Sequence, residues 1–241
     1  MFPTFRRSDD VPFPNVWLTF EAPDENGELV KYRIQDLPKS RVNDALEHML
    51  TYFVPDENVC RARNMANDVT ALRDLKHIYG EAIRHHKLSL VCFKEGSDEI
   101  IALNILFIEE RNAEMYWDEY KNEDVKDMDL VAVYVLEQFD VFEHYQVDRY
   151  MSAYGLSVLP NYRRRGIGLK MLEARKYLGK ACGIKLTSNI FSSAASQKLA
   201  EKAGFEKNFG LSFGELAKIN PHYAFDIGND DVMYSIYSMR I

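Results

Sequence analysis

The segment that most constrains the fold is GLSVLPNYRRRGIGLKML, residues 155–172. An apolar run leads to Pro160, three arginines follow, and from Gly166 onward the apolar residues recur every three or four positions. This pattern predicts a β-strand over 150–159, a short loop, and an α-helix that buries one face. A helix N-terminus exposes backbone N–H groups that bind anions, and glycines at 166 and 168 would let an oxygen-rich group approach them closely. The junction therefore predicts a phosphate or pyrophosphate site.

Three phosphate-binding patterns can be compared with this junction. The dinucleotide pattern requires a third glycine where Met171 stands, and the following strand lacks the terminal acidic residue that binds a ribose. The mononucleotide loop requires Gly-Lys-Ser or Gly-Lys-Thr, which Gly168, Leu169 and Lys170 do not supply. The pattern that remains is Arg-x-x-Gly-x-Gly between a strand and a helix.

The rest of the chain predicts further strands and helices around this junction. Turn-forming residues divide β-rich runs into hairpins, and helical spacing marks the segments between them. The predicted strands cover 16–20, 29–34, 88–93, 100–108, 150–159, 184–190, 205–213 and 232–240. The predicted helices start at Ser40 and near Asn67, cover 130–145 and 166–181, and end with 193–203 before Gly204, while 109–127 is expected to form a loop. This order predicts an α/β fold whose sheet is antiparallel early and partly parallel later.

Composition limits the classes of function. The 241 residues are 46% hydrophobic, which suffices for one core, so we expect a single domain over 1–241 with a loosely ordered arm at 1–15. The formal charge of −7 disfavours nucleic acid as a partner. Cys60, Cys92 and Cys182 are scattered, so we expect no disulfide, no metal and a cytoplasmic location. Charges and prolines near the N-terminus disfavour a signal peptide, and no segment reaches transmembrane length, so we expect no membrane partner.

The Arg-x-x-Gly-x-Gly junction resembles the acetyl-CoA pyrophosphate loop of the GCN5-related N-acetyltransferase (GNAT) superfamily. SQKLAEKAGFEK, residues 196–207, resembles the superfamily's second signature, a helix with Leu-x-Glu-Lys-x-Gly-Phe after the next strand. YRIQDLPKSR, VPDENVC, LVCFKEGSDEI, GIKLTS and the closing SMRI resemble the insect arylalkylamine N-acetyltransferase family, from about residue 32 to the C-terminus. The resemblance implies the GNAT fold, in which a mixed, mostly antiparallel sheet is splayed around the acetyl-CoA site and flanked by helices.

The same resemblance implies that acetyl-CoA lies against the strand and the glycine loop. Backbone N–H groups would hold the pyrophosphate, the arginines would add positive charge, and a free N–H of the splayed strand near Val158 would stabilise the oxyanion. The residues concerned are Leu156, Val158, Arg163, Arg164, Arg165, Gly166, Ile167, Gly168 and Leu169. A run of arginines is also an ordinary solvated surface feature, so the role of each side chain stays open.

Acetyl transfer to an alkylamine requires a base, because an amine with a pKa near ~10.4 is protonated at neutral pH and cannot attack. The resemblance implies that Glu57, in the loop sequence PDEN, takes this role through ordered water. Adjacent Asp56 is the rival carboxylate. From the residues alone, an acidic pair in a loop equally fits a solvated turn.

The proton donor for the leaving thiolate departs from the superfamily pattern. Many members carry a Tyr between the Leu and the Glu of the second signature, where this chain has Ala200. Ser192 and Ser196 match two serines of the arylalkylamine family, and we interpret them as hydrogen-bond donors and relays, because a hydroxyl is a poor acid. They would share a helix face if the helix began early enough. Helix capping is the competing role, especially for Ser192 and Ser193.

The resemblance predicts an acetyl-CoA-dependent N-acetyltransferase for arylalkylamines such as dopamine, tyramine, octopamine, serotonin or tryptamine, by direct attack of the amine on the thioester. Candidates for the ring pocket are Tyr52, Phe53, Tyr154 and Phe191. One alternative keeps the fold but takes agmatine, polyamines or a longer acyl-CoA. Another is a CoA-binding module without catalysis, which the absent Tyr favours. We expect a monomer whose partner is the small-molecule amine.

Overall fold

The computed structural model describes residues 5–24, 26–111 and 120–241, which form a mixed α/β fold around an eight-stranded open sheet. The strands are β1 (Val16–Pro23), β2 (Leu29–Asp36), β3 (Leu90–Lys94), β4 (Ala102–Glu110), β5 (Arg149–Val158), β6 (Leu186–Phe191), β7 (Glu206–Ser212) and β8 (Met233–Arg240). The helices are α1 (Val42–His48), α2 (Asn58–Ala62), α3 (Val69–His86), α4 (Glu123–Glu137), α5 (Val141–Tyr145), α6 (Ile167–Ala181), α7 (Ala194–Ala203) and α8 (Phe213–Ile219). The strand order is β1-β2-β3-β4-β5-β6-β8-β7.

The sheet confirms the predicted change of direction along the chain. Strands β1 to β5 pair with their sequence neighbours in antiparallel fashion, and β5 pairs with β6 in parallel fashion. A parallel pair needs a crossover connection, and α6 supplies it. Helix α6 buries Ile167, Met171, Ala174 and Leu178 against one face of the sheet, while α1 and α3 cover the other face. The fold class predicted from the sequence is therefore confirmed.

The residues at the helix ends explain where three predicted helices differ from, or agree with, the structure. The run 130–145 is not one helix, because Asp140 accepts a hydrogen bond from the Glu143 N–H and starts α5 separately from α4. Ser40 makes no capping hydrogen bond to α1, which continues instead into a π-helical turn over Met49–Phe53. Gly204 ends α7 as predicted, with a φ of 95° that favours glycine.

Two expectations about irregular segments were incomplete. The loop expected over 109–127 is shorter at both ends, since β4 continues to Glu110 and α4 begins at Glu123; residues 112–119 lie outside the described residues. Helix α8 was not predicted, although Ser212 and Glu215 form a reciprocal capping box at its start.

The segment before β1 contacts the sheet through Arg7. Its guanidinium donates to both carboxylate oxygens of Asp36 at 2.8 and 2.9 Å, and both side chains are buried. Whether 1–15 is a loosely ordered arm, and whether 1–241 is a single domain, stay predictions. Among the described helices, none is both long and apolar enough to span a bilayer.

The feature that creates the site is the divergence of β5 from β6. Strand β5 pairs with β4 along its whole length, with an irregularity opposite Tyr154, between Ala153 and Gly155. Its pairing with β6 is confined to Met151 and Thr187. Beyond that pair the two strands separate and leave a cleft in the middle of the sheet.

Candidate active site

A cavity of about 810 Å³ occupies the cleft between β5 and β6. The glycine loop, the first turn of α6 and the start of α7 line one part of it. The start of α2, the middle of α3 and residues 128–136 of α4 line another part. Every predicted site residue except Arg165 lies on the cavity wall. The cavity therefore joins the segment predicted to bind a phosphate group to the segment that carries the predicted base.

The N-terminus of α6 has the features of an anion site. Gly166 precedes the helix with a φ of 79°, in the left-handed region that favours glycine, and no side chain caps the helix. The N–H groups of Ile167, Gly168 and Leu169 thus have no partner within the helix. A Cβ at Gly168 would come within 3.1 Å of the Leu199 side chain. The loop therefore presents bare backbone donors to the cavity, as a bound pyrophosphate requires.

The three arginines have different contacts. Arg163 donates from Nε to the Val158 carbonyl at 2.9 Å and pairs with Asp56 at 2.6 Å, which links the glycine loop to the loop before α2. Arg165 lies over the Tyr162 ring, 5.9 Å from its centroid. Arg164 has a φ of 63° and lines the cavity.

The backbone of β5 points two N–H groups into the cleft. Leu159 donates its N–H to the Ile101 carbonyl on the β4 side at 2.9 Å. Because the direction of N–H groups alternates along a strand, Ser157 also faces β4, whereas Leu156 and Val158 face away from it. The donors predicted near Val158 are thus directed towards the separated β6.

Glu57 lies at the start of α2, where its carboxylate accepts two hydrogen bonds. Its Oε2 caps the helix by accepting the Cys60 N–H at 2.8 Å, and its Oε1 accepts the Ser192 hydroxyl at 2.6 Å. Tyr79 and Tyr234 stand close by: burial raises the pKa of each phenol well above its usual value, and the charge of Glu57 adds to this. The half-buried carboxylate of Glu57 therefore both caps α2 and contacts the cleft.

The three serines have two roles: Ser193 and Ser196 cap α7, and Ser192 contacts Glu57. Ser193 caps α7, and Ser196 completes a capping box because its hydroxyl oxygen accepts the Ser193 N–H at 3.3 Å. The Ser196 hydroxyl also donates to the Ser193 carbonyl at 2.9 Å. The helix begins at Ala194, so Ser192 precedes it and does not share a helical face with Ser196. Ser192 is instead the serine that contacts Glu57. Both Ser192 and Ser196 line the cavity.

Aromatic side chains surround the part of the cavity near Glu57. Tyr154 stacks on Phe107 with 4.3 Å between ring centroids, and the Phe53 ring covers Gly155 so closely that a Cβ there would overlap it. All four predicted ring-pocket candidates line the cavity: Tyr52, Phe53, Tyr154 and Phe191. This region offers flat apolar surfaces to a ligand.

A buried arginine that the sequence analysis missed bridges the separated strands. Arg175 of α6 donates to Asn104 of β4 at 2.9 Å and to Asn189 of β6 at 2.6 Å. Asn104 and Asn189 in turn donate to the carbonyls of Gly155 and Ala153, on either side of the β5 irregularity. Burial lowers the pKa of Arg175 to about 9. The sequence did contain an indication of this role: Arg175, eight residues after Ile167, is a charged residue on the helix face that is otherwise apolar and buried.

Two carboxylates that the sequence analysis also missed line the aromatic part of the cavity. Glu109 is near the end of β4, and Asp129 is on α4. Burial, with the neighbouring charge of Asp129, raises the pKa of Glu109 to about 7. Burial also raises the pKa of Asp129 to about 6, although a hydrogen bond from Tyr120 opposes this. The available signal was the alternation in β4, which places Glu109 on the same face as the buried Ile105 and the partly buried Phe107.

Comparisons with known proteins agree with this architecture. The family model for the acetyltransferase (GNAT) domain matches residues 126–207. A proposed arylalkylamine N-acetyltransferase 7 of the yellow fever mosquito Aedes aegypti is 37% identical with a TM-score of 0.95, over 98% of this chain and 99% of that chain. No curated protein sequence matches the chain.

Two more distant structures share the fold. Arylalkylamine N-acetyltransferase 2 of Aedes aegypti is 18% identical with a TM-score of 0.78, over 87% of this chain and 99% of that chain. A polyamine N-acetyltransferase of Drosophila melanogaster, which forms N-acetylagmatine, is 14% identical with a TM-score of 0.73, over 87% of this chain and 100% of that chain.

Proposed function

Because the chain belongs to the insect arylalkylamine N-acetyltransferase family of the GNAT superfamily, we propose that it transfers an acetyl group from acetyl-CoA to an arylalkylamine such as dopamine, tyramine, octopamine, serotonin or tryptamine. The observation that carries the proposal is one cavity that joins the uncapped glycine loop to the pair formed by Glu57 and Ser192. We place this activity in a cytoplasmic monomer with a single domain over 1–241 and no metal.

The residues of the loop and of β5 fit acetyl-CoA. The N–H groups of Ile167, Gly168 and Leu169 suit the pyrophosphate, and Arg164 adds positive charge to the cavity wall. The cofactor supplies the thioester whose acetyl group is transferred. The N–H groups of Leu156 and Val158 point away from β4. We assign them as donors to carbonyl oxygens of the bound cofactor, in its amide groups and its thioester. Arg163 supports the loop through Val158 and Asp56 rather than as an isolated solvated side chain.

Glu57 is the base in this proposal. Its carboxylate faces the cavity, accepts a proton from the bound ammonium through ordered water, and keeps its position because the helix cap fixes it. The Ser192 hydroxyl already donates to Oε1, so it connects the carboxylate to the start of α7. Asp56, more than half exposed and paired with Arg163, is the weaker candidate.

Ser192 and Ser196 stay hydrogen-bond donors in this scheme. Ser196 is engaged by the capping box and can orient the N-terminus of α7 towards the thiol. Ser192 can pass a proton between Glu57 and the cleft without holding it. Ala200 is buried on α7 and has no titratable group, so this chain does not use the acid common in the superfamily.

The experiment that tests the proposal is a thiol-release assay with acetyl-CoA and a panel of aryl and aliphatic amines at several pH values. We expect turnover on tyramine or dopamine that rises with pH, since the amine must lose a proton before its nitrogen can attack the thioester. Acetyl-CoA binding without turnover on any amine would overturn the proposal in favour of a CoA-binding module.

A further inference from the structure

The end of the cavity beyond Glu57 carries more negative charge than one ammonium group requires. Glu109 and Asp129 line the same cavity as Glu57, and they come from different elements, β4 and α4. The Tyr79 and Tyr234 side chains line the cavity together with the three carboxylates, which therefore border one continuous space. A ligand held near Glu57 can therefore extend to the pair.

No cationic side chain of the described residues neutralises this pair. The described arginines of the cavity wall are Arg163 and Arg164 in the glycine loop and Arg175, which bonds to the asparagines behind β5. Glu109 makes no side-chain hydrogen bond or ion pair with any described residue, and it is half-buried where it lines the cavity. The segment 112–119 contains neither lysine nor arginine in its sequence.

The other neighbours of the pair are aromatic or polar and uncharged. Tyr120 donates a hydrogen bond to Asp129, and the Tyr150 and Tyr154 rings of β5 border Glu109. His77 of α3, on the rim, is exposed. Two neighbouring carboxylates that are half-buried in a cavity and lack a counter-ion are costly to ionise, and a cation with an apolar body fits both their charge and their aromatic surroundings.

We propose that Glu109 and Asp129 form a second cation-binding subsite, which holds a positively charged nitrogen at the far end of the acceptor amine. The preferred acceptor is then an amine with two cationic groups and an apolar middle, acetylated at the end near Glu57, while monocationic arylalkylamines are substrates that leave the second subsite empty. This inference rests on the proposed N-acetyltransferase activity, and it predicts that an amine with a second cationic group is preferred over the monocationic arylalkylamines named there. A bound cation would offset the repulsion between the two carboxylates, so it restores their ionised state.

The test compares matched amines that differ by one positive charge: phenethylamine with its para-aminomethyl derivative, and butylamine with putrescine. In each pair we expect kcat/KM to favour the dication by about tenfold or more, the worth of one hydrogen bond to a charged group. Glu109→Gln and Asp129→Asn keep the side-chain shape and should lower that preference about tenfold. Equal kcat/KM values in the aromatic pair, or a preference for its monocation, would overturn the proposal.

Glu110→Gln is the control on the same strand. Glu110 points to the opposite face of β4, where it pairs with Arg149 at 4.0 Å, so its removal should leave the preference unchanged. Equal loss of preference in Glu110→Gln and Glu109→Gln would show a general effect of charge and contradict the subsite. Thermal unfolding of each variant identifies any loss that comes from the fold.

A calorimetric titration with the para-aminomethyl derivative separates this inference from the proposed function. If no amine releases thiol, the acetyltransferase proposal fails, but binding of the dication that is weakened by Glu109→Gln would still support the subsite. If amines are acetylated and the variant binds the dication as tightly as the parent protein does, the subsite is wrong and the acetyltransferase stands.

Discussion

Replacement of Glu57 by Gln separates the base from the helix cap, because the carboxylate makes both contacts in the structure. Oε2 caps α2 through the Cys60 N–H, and Oε1 accepts the Ser192 hydroxyl. A glutamine keeps one oxygen for the cap and offers an NH₂ group to the Ser192 oxygen, so both contacts can persist in neutral form. The stability cost should be about 1 kcal/mol, the difference between a charge-assisted and a neutral hydrogen bond.

The effect on catalysis should be much larger than the effect on stability. Removal of a general base lowers the rate by about 10²–10⁴-fold, so we expect kcat/KM for tyramine to fall at least about a hundredfold. A stability loss of about 1 kcal/mol lowers Tm by only about 2–4 °C in a chain of this size. The assay is thiol release with acetyl-CoA at pH 8, with thermal unfolding of the same samples.

Asp56→Asn is the matched control, one residue away. The Asp56 carboxylate is 54% exposed and pairs with Arg163, so its loss should cost less than about 1 kcal/mol and leave the rate within about threefold. The reasoning is refuted if Glu57→Gln keeps at least a third of the activity. It is also refuted if Asp56→Asn causes the larger loss, since Asp56 would then be the base.

Three further predictions follow from the cavity walls. Gly155→Ala should displace the Phe53 ring, lower stability by about 1–3 kcal/mol and raise the KM for the amine, and an unchanged Tm and KM would contradict the observed contact. Arg175→Met should lower the free energy of unfolding by about 3–5 kcal/mol in urea, because its acceptor oxygens on β4 and β6 lose their buried donor; a neutral result would mean that water replaces it. Glu109→Gln should stabilise the protein at pH 8 by up to about 3 kcal/mol, since the folded-state pKa is raised from 4.5 to about 7. The native state binds the proton more tightly there, so stability from this group falls as pH rises from 4.5 to 7, and the gain in Tm should disappear near pH 4.

The junction at 155–172 could be predicted from the sequence because its strand, loop and helix follow from local properties. Glycines permit the left-handed turn at Gly166, and the apolar period of α6 places one face on the sheet. The break between α4 and α5 was missed because the apolar spacing continues across it, whereas α4 ends at Glu137 and the cap at Asp140 starts α5 as a separate helix. The cap at Asp140 therefore determines the helix boundary here, although the apolar spacing continues across it.

The candidate site was less predictable where it depends on distant contacts. The hydrogen bond between Glu57 and Ser192 joins residues 135 positions apart, and no local pattern encodes it. Ser196 was expected near the thiol, but the sequence alone could not show that it completes the cap begun by Ser193. Asp129 follows an irregular segment and lies on a helix whose start was predicted too late, so its approach to Glu109 was not visible.

The most direct test of the central claim is to incubate the purified protein with isotopically labelled acetyl-CoA and tyramine, and to identify the products by mass spectrometry. The account predicts labelled N-acetyltyramine, formed by the parent protein and Asp56→Asn but strongly reduced in Glu57→Gln. Unchanged tyramine beside intact acetyl-CoA, or label found only in free acetate, would contradict transfer to an amine in this cavity.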